Sequence, residues 1–117
     1  MFELMVEDSF DAAHALRGYE GPCENLHGHT WKVQAFLRGR KLSRIGLLED
    51  FKVIKKELRI VLEEFDHKLL NDLEPFAKKN PTSENLSEII FKKLKNKFKA
   101  VFKITVWEST TTYASFY

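Results

Sequence analysis

Between Phe2 and Phe10 apolar and polar positions alternate, with Phe2, Leu4 and Val6 on one side and Glu3, Met5 and Glu7 mostly on the other. Period two predicts a half-buried strand, and Asp11-Ala12-Ala13-His14 lies at its end. Gly18, Gly21 and Pro22 then break the pattern, so Leu16 to Asn25 reads as a loop. Alternation resumes from Thr30 to Arg38, where Trp31, Val33, Ala35 and Leu37 share a face, which is also the face of His27 and His29. After a basic turn region at Gly39 to Gly46 the period changes. Phe51, Ile54, Leu58, Val61, Leu62 and Phe65 follow Asp50 at three- and four-residue spacing, predicting an N-capped amphipathic helix of about four turns whose stripe packs on the sheet. Pro75 and Pro81 bracket an irregular connection. A second helix starts at Thr82, with Glu84 suited to its positive end and Leu86, Ile89, Ile90, Leu94 and Phe98 as its buried stripe. Val101 to Trp107 predicts a third strand, with Phe102, Ile104 and Val106 on one face and Glu108 continuing it. Thr111 to Tyr117 predicts a fourth, after a tight turn around Ser109 and Thr110. The expected order is ββααββ, an α+β fold.

Composition narrows the class. The chain has 117 residues, 44% hydrophobic and 31% charged, which suits one domain over 1–117 with one core. No apolar run nears the ~18 residues that would cross a bilayer, and the N-terminal pattern is a strand rather than a secretory leader, so a cytoplasmic protein without membrane partners is expected. Nineteen basic against 17 acidic residues is too balanced to argue for nucleic acid. The lysines that crowd the second helix read as a solvated face favoured by the helix C-terminus. Cys23 is the one cysteine, so it is a free thiol, a metal ligand or a reactive group rather than half of an intrachain disulfide.

That cysteine belongs to the stretch with the densest chemistry, Cys23-Glu24-Asn25-Leu26-His27-Gly28-His29. On extended backbone His27 and His29 point to one face, roughly 6.6 Å apart along the strand, and could converge on one metal ion. Gly28 clears the opposite face and tolerates a bend. Zinc suits imidazole, and a third ligand would come from His14 or His67. Without a third ligand, the pair would be two surface imidazoles in a turn. Glu108 poses its own question, because a carboxylate on an apolar strand face must be exposed or held by donors.

Taken together, Phe10-Asp11-Ala12-Ala13-His14, Cys23-x-x-x-His27-Gly28-His29, Asp50-Phe51, Asp66-His67-x-x-Leu70-Asn71, Pro81-Thr82-Ser83-Glu84-Asn85 and Glu108 resemble the 6-pyruvoyl-tetrahydropterin synthase family over essentially the whole length. Three residues between Cys23 and His27, where the pyruvoyl enzymes usually have five, make the 6-carboxy-5,6,7,8-tetrahydropterin synthase branch of queuosine biosynthesis the nearer one. The resemblance implies a tunnelling fold: a four-stranded antiparallel sheet with two helices on one face, subunits joined edge to edge into a barrel, and two trimers stacked as a homo-hexamer. It also implies a lyase acting on 7,8-dihydroneopterin triphosphate that releases triphosphate, acetaldehyde and 6-carboxytetrahydropterin.

The roles come with the resemblance. His14, His27 and His29 would be zinc ligands, Cys23 the proton-abstracting base, and Asp66 with His67 a second acid/base element. Glu108 would anchor the pterin, and Thr82 and Ser83 would help hold it, although helix capping explains Thr82 and Ser83 equally well. Asp50 is assigned to capping. A pyruvoyl product, a dihydroneopterin aldolase activity and a non-catalytic zinc or pterin-binding module remain open at this point. Glu24, beside Cys23, keeps the first two in view.

Overall fold

The computed structural model describes residues 1–19, 21 and 25–117; Cys23 and Glu24 lie outside the described residues. Two 13-residue strands, β1 (Phe2–His14) and β2 (His27–Gly39), pair antiparallel from Phe2↔Gly39 to His14↔His27 without a break. Helix α1 (Phe51–Glu63) follows, then the short strand β3 (Lys68–Leu69), two 3-10 turns, helix α2 (Ser83–Lys95), and strands β4 (Val101–Trp107) and β5 (Tyr113–Phe116).

The sheet order is β3-β1-β2-β4-β5. It therefore has five strands rather than the expected four, and it is mixed, because β3 runs parallel to β1 through Ala12↔Lys68 and Ala13↔Leu69. Two residues carry no period, so β3 has no sequence signature. It exists because the chain reverses at His67, whose φ is +57° and whose N–H donates to Asp11 O at 2.6 Å.

Both helices begin where their caps predict. Asp50 accepts from the Lys52 N–H and Thr82 from the Asn85 N–H, each worth about 1 kcal/mol. Ile54, Leu58, Val61 and Leu62 of α1, with Leu86, Ile90 and Leu94 of α2, bury against Val6, Phe10, Trp31, Val33, Ala35, Leu37, Ile104 and Val106 of the sheet. Phe51, expected in the α1 stripe, is exposed at the first turn. Phe65 lies just past the end of α1 and is buried against Phe10, ring centroids 5.7 Å apart.

A register shift between Phe36 and Leu37 puts Val101, not Phe102, opposite Leu37. Phe102 therefore leaves the buried face on which its parity had placed it, and lies beneath the Arg38 guanidinium at 3.7 Å. The sheet face away from the helices carries further cations over rings, Lys32 on Trp107 and Lys103 on Phe36.

Candidate metal centre and adjoining grooves

His14 ends β1 and His27 opens β2 as its register partner, while His29 lies opposite Ala12. All three rings sit on the helix-bearing face, because it is the face of Phe10, Ala12 and Trp31. Trp31 floors the cluster: its indole meets the His14 and His29 rings edge-on, at 4.8 and 5.3 Å between centroids. Its Nε1 donates to Ala12 O, and the side chain is fully buried. Glu108, the residue after β4, completes the group, and one ligand atom from each of His14, His27, His29 and Glu108 lies within 4.8 Å of every other.

The hydrogen bonds around these rings decide what they can hold. His14 Nδ1 is 2.7 Å from Pro81 O and His27 Nδ1 is 2.6 Å from Asn25 O. A carbonyl only accepts, so each Nδ1 carries the proton and each Nε2 presents a lone pair. The two Nε2 atoms face each other at 3.1 Å. Two ligands at about 2.0–2.1 Å from a tetrahedral metal would be about 3.3 Å apart, so the spacing fits a shared cation. His29 Nε2 is buried without a hydrogen-bond partner among the described residues; Glu108 Oε1, at 3.4 Å, is within ion-pair distance only. An orphaned buried nitrogen beside two convergent lone pairs is what a metal ion would satisfy. Burial is the main cause that pushes the His14 and His29 imidazoles below the ordinary histidine range, which keeps them neutral and able to ligate.

Two grooves reach the His29 position from the sheet face away from the helices, the face of Asp11, Gly28, Thr30 and Lys32. One, of about 560 Å³, is lined by Asp11, Ala13, Gly28, His29, Thr30 and His67. The other, of about 610 Å³, is lined by His29, Thr30, Lys32, Trp107, Glu108 and Thr110. Both volumes fall in the range of small-molecule sites. Gly28 borders both and clears the opposite face as expected, but shows no register shift that a bend would bring. The β1–β2 register passes through Ala13↔Gly28 unshifted, and an added Cβ would come no closer than 4.0 Å to Ala12 O. What its missing side chain provides is open space.

His67 lines the first groove, with Asp66 beside it. Asp66 Oδ1 accepts the Asp11 N–H at 3.0 Å and lies 3.0 Å from His67 Nδ1. The Asp11 N–H is the main reason that the Asp66 carboxyl lies below the usual range; the charges of His67 and Arg59 act in the same direction. His67 itself is exposed. Ser83 Oγ reaches Glu108 Oε2 at 3.4 Å, so the start of α2 touches the cluster through Ser83, while Thr82 is occupied as the helix cap. Cys23, as noted, is outside the described residues.

This arrangement has relatives. A family model described as 6-pyruvoyl tetrahydropterin synthase matches residues 3–117. The chain belongs to that family. A 6-carboxy-5,6,7,8-tetrahydropterin synthase of Synechocystis sp. is 33% identical over all of this chain and 94% of its own length. A dihydroneopterin monophosphate aldolase of Pyrococcus furiosus is 38% identical, covering 90% of this chain and 88% of its own. The solved 6-pyruvoyl tetrahydropterin synthase of Caenorhabditis elegans superposes with a TM-score of 0.89 at 30% identity, over 98% of this chain and 94% of that one. The tunnelling fold of the family is thus the fold of this chain.

Several residues that shape the imidazole cluster carry no sequence signal. The carbonyls of Pro81 and Asn25 set the tautomers of two imidazoles, and a backbone carbonyl has no residue-type signal. Asn71 bonds both backbone groups of Ala15, and Asn80 both of Arg17, extending the β1 ladder with side chains and holding His14 beside Pro81. In the sequence Asn71 stands out only within the family pattern, and Asn80 carries no signal of its own.

Proposed function

We propose that the chain is a zinc-dependent lyase that converts 7,8-dihydroneopterin triphosphate and water to 6-carboxy-5,6,7,8-tetrahydropterin, acetaldehyde and triphosphate, in queuosine biosynthesis. The observation that carries this reading is the convergence of the His14, His27 and His29 nitrogens, with Glu108, to within 4.8 Å of one another. Three imidazoles suit a catalytic zinc site, whose fourth position is left for water or substrate, rather than a structural one. Zinc bound there would act as a Lewis acid toward the substrate's side-chain oxygens.

The chain's own residues divide the remaining work. Cys23, four positions before His27, takes the side-chain proton as a thiolate. Asp66 holds His67 as the second acid/base group. Glu108 pairs with the pterin N–H and amino groups, where a carboxylate can accept two parallel hydrogen bonds, with Ser83 supporting Glu108 and Thr82 fixing the helix end beside it. The subunits assemble as a homo-hexamer of two trimeric barrels. In support, the outer edge of β1 from Phe2 to Asp8 has no strand partner among the described residues, since β3 pairs only with Ala12 and Ala13, and unpaired edges favour association.

A second reading, cleavage of a dihydroneopterin phosphate by an aldolase route, is favoured by the Pyrococcus relative and by Glu24 beside Cys23. Incubating the zinc-loaded protein with 7,8-dihydroneopterin triphosphate, and separately with the monophosphate, separates the two. Triphosphate plus acetaldehyde from the first substrate supports the carboxy-tetrahydropterin route. A pyruvoyl product without acetaldehyde would place the chain with the pyruvoyl enzymes, and turnover of the monophosphate alone would favour the aldolase.

A further inference from the structure

We propose that Arg59 is a positioning residue for the Asp66–His67 pair: it holds Asp66 so that the carboxylate engages His67 Nδ1 and leaves Nε2 as the proton-transfer atom. The proposal rests on the acid/base role given to His67 above.

Arg59 projects from α1 and spans the gap to β1 and to the chain beyond the helix. Its Nη1 donates to Ser9 O at 2.9 Å and lies 3.3 Å from Asp8 Oδ1, while Nη2 is 3.4 Å from Asp66 Oδ2. Glu63 Oε1 lies 3.0 Å from Nε but off the line of its N–H, which has no hydrogen-bond acceptor among the described residues. The guanidinium is therefore shared among three carboxylates and a carbonyl, and it is not free to bind a substrate phosphate.

The consequence falls on Asp66. Its Oδ2 is held by the cation, and its Oδ1 by the Asp11 N–H, with His67 Nδ1 also 3.0 Å from that oxygen. A carboxylate gripped at both oxygens cannot rotate, so the imidazole beside it meets one oxygen in one orientation. A ring nitrogen facing a carboxylate at that distance carries its proton, and the tautomer with a bare Nε2 is favoured. The backbone of His67 is constrained as well. A positive φ is uncommon for a residue other than glycine, and here it is held by the 2.6 Å bond from His67 N–H to Asp11 O. Strained backbone of this kind persists where its surroundings over-determine it.

The test compares Arg59→Gln and Arg59→Lys with the parent protein, all zinc-loaded, by ¹⁵N-histidine NMR and steady-state kinetics. With four histidines in the chain, His67 is assignable by comparison with His67→Asn. In the parent the neutral His67 ring is expected as the Nδ1–H tautomer; in Arg59→Gln it shifts toward Nε2–H. With that shift kcat falls on the order of 10- to 100-fold, the range for disturbing an outer partner, while KM and zinc content stay near the parent values. Arg59→Lys, which keeps the charge and loses the fork, falls between. An unchanged His67 tautomer in Arg59→Gln overturns the proposal whatever the rates do. If that variant does not fold, Arg59→Lys decides by the same tautomer readout. A parent protein that turns over no dihydroneopterin phosphate, yet shows the tautomer shift on losing Arg59, sinks the functional reading and leaves the positioning role standing.

Discussion

His14 Nε2 and His27 Nε2 face each other across 3.1 Å while the other nitrogen of each ring donates to a main-chain carbonyl. Two lone pairs so close repel unless a cation lies between them, so the rings are arranged for a guest. X-ray absorption of the zinc-loaded protein should show nitrogen and oxygen neighbours only. His27→Ala should weaken zinc binding by at least the roughly 10- to 100-fold seen for disturbing outer partners. A zinc–sulfur bond would instead make Cys23 a ligand and remove it as a base.

Cys23→Ala should retain zinc and pterin binding and lose roughly 10²–10⁴-fold in turnover, the range for a deleted general base. Isothermal titration and a product assay on the same preparation check both halves. Unchanged turnover would make the thiol structural.

Glu108 lies within reach of both His29 and Ser83, and Glu108→Gln separates its two available roles. As pterin anchor, its loss should raise KM by about 10-fold or more, as expected for a charge-assisted hydrogen bond worth ~1.5–3 kcal/mol, with zinc content unchanged. Zinc loss with KM unaltered would make Glu108 a fourth ligand.

Acid should destabilise the metal-free protein. The His14 and His29 pKa values are lowered from 6.5, so below that pH the unfolded chain binds more protons than the folded one. Stability then falls as pH drops through about 6.5, until the folded-state values are reached. Bound zinc adds to the dependence, because ligation requires neutral imidazole. Thermal unfolding of chelator-treated protein at about pH 7.5 and about pH 5.5 checks this. A midpoint that is equal or higher at the lower pH contradicts it.

The edge of β1 from Phe2 to Asp8, without a strand partner among the described residues, and the sheet face that bears Phe36, Phe102 and Trp107 are the surfaces proposed for self-association. Multi-angle light scattering at micromolar concentration should give a mass near six chains. A monomer alone would contradict the barrel.

Much of this protein was determined by local pattern. Period two fixed which residues of β1 and β2 face the helices, and hence that His27 and His29 share the face of Trp31. The spacing of Ile54, Leu58, Leu62, Leu86, Ile90 and Leu94, with Asp50 and Thr82 as caps, set both helices, because capping and amphipathicity act within a few residues. The family pattern, spread over the whole chain, supplied His14 as a partner that spacing could not choose over His67. Tertiary structure decided the rest. Strand register brought His14 opposite His27, a bulge at Phe36 and Leu37 turned Phe102 outward, and a left-handed His67 allowed a two-residue β3 to form. The carbonyls of Pro81 and Asn25, and the guanidinium of Arg59, act across sequence separations or through backbone atoms, where residue identity carries no signal. A ring's tautomer depends on which acceptor packing brings to it, and only the folded chain brings one.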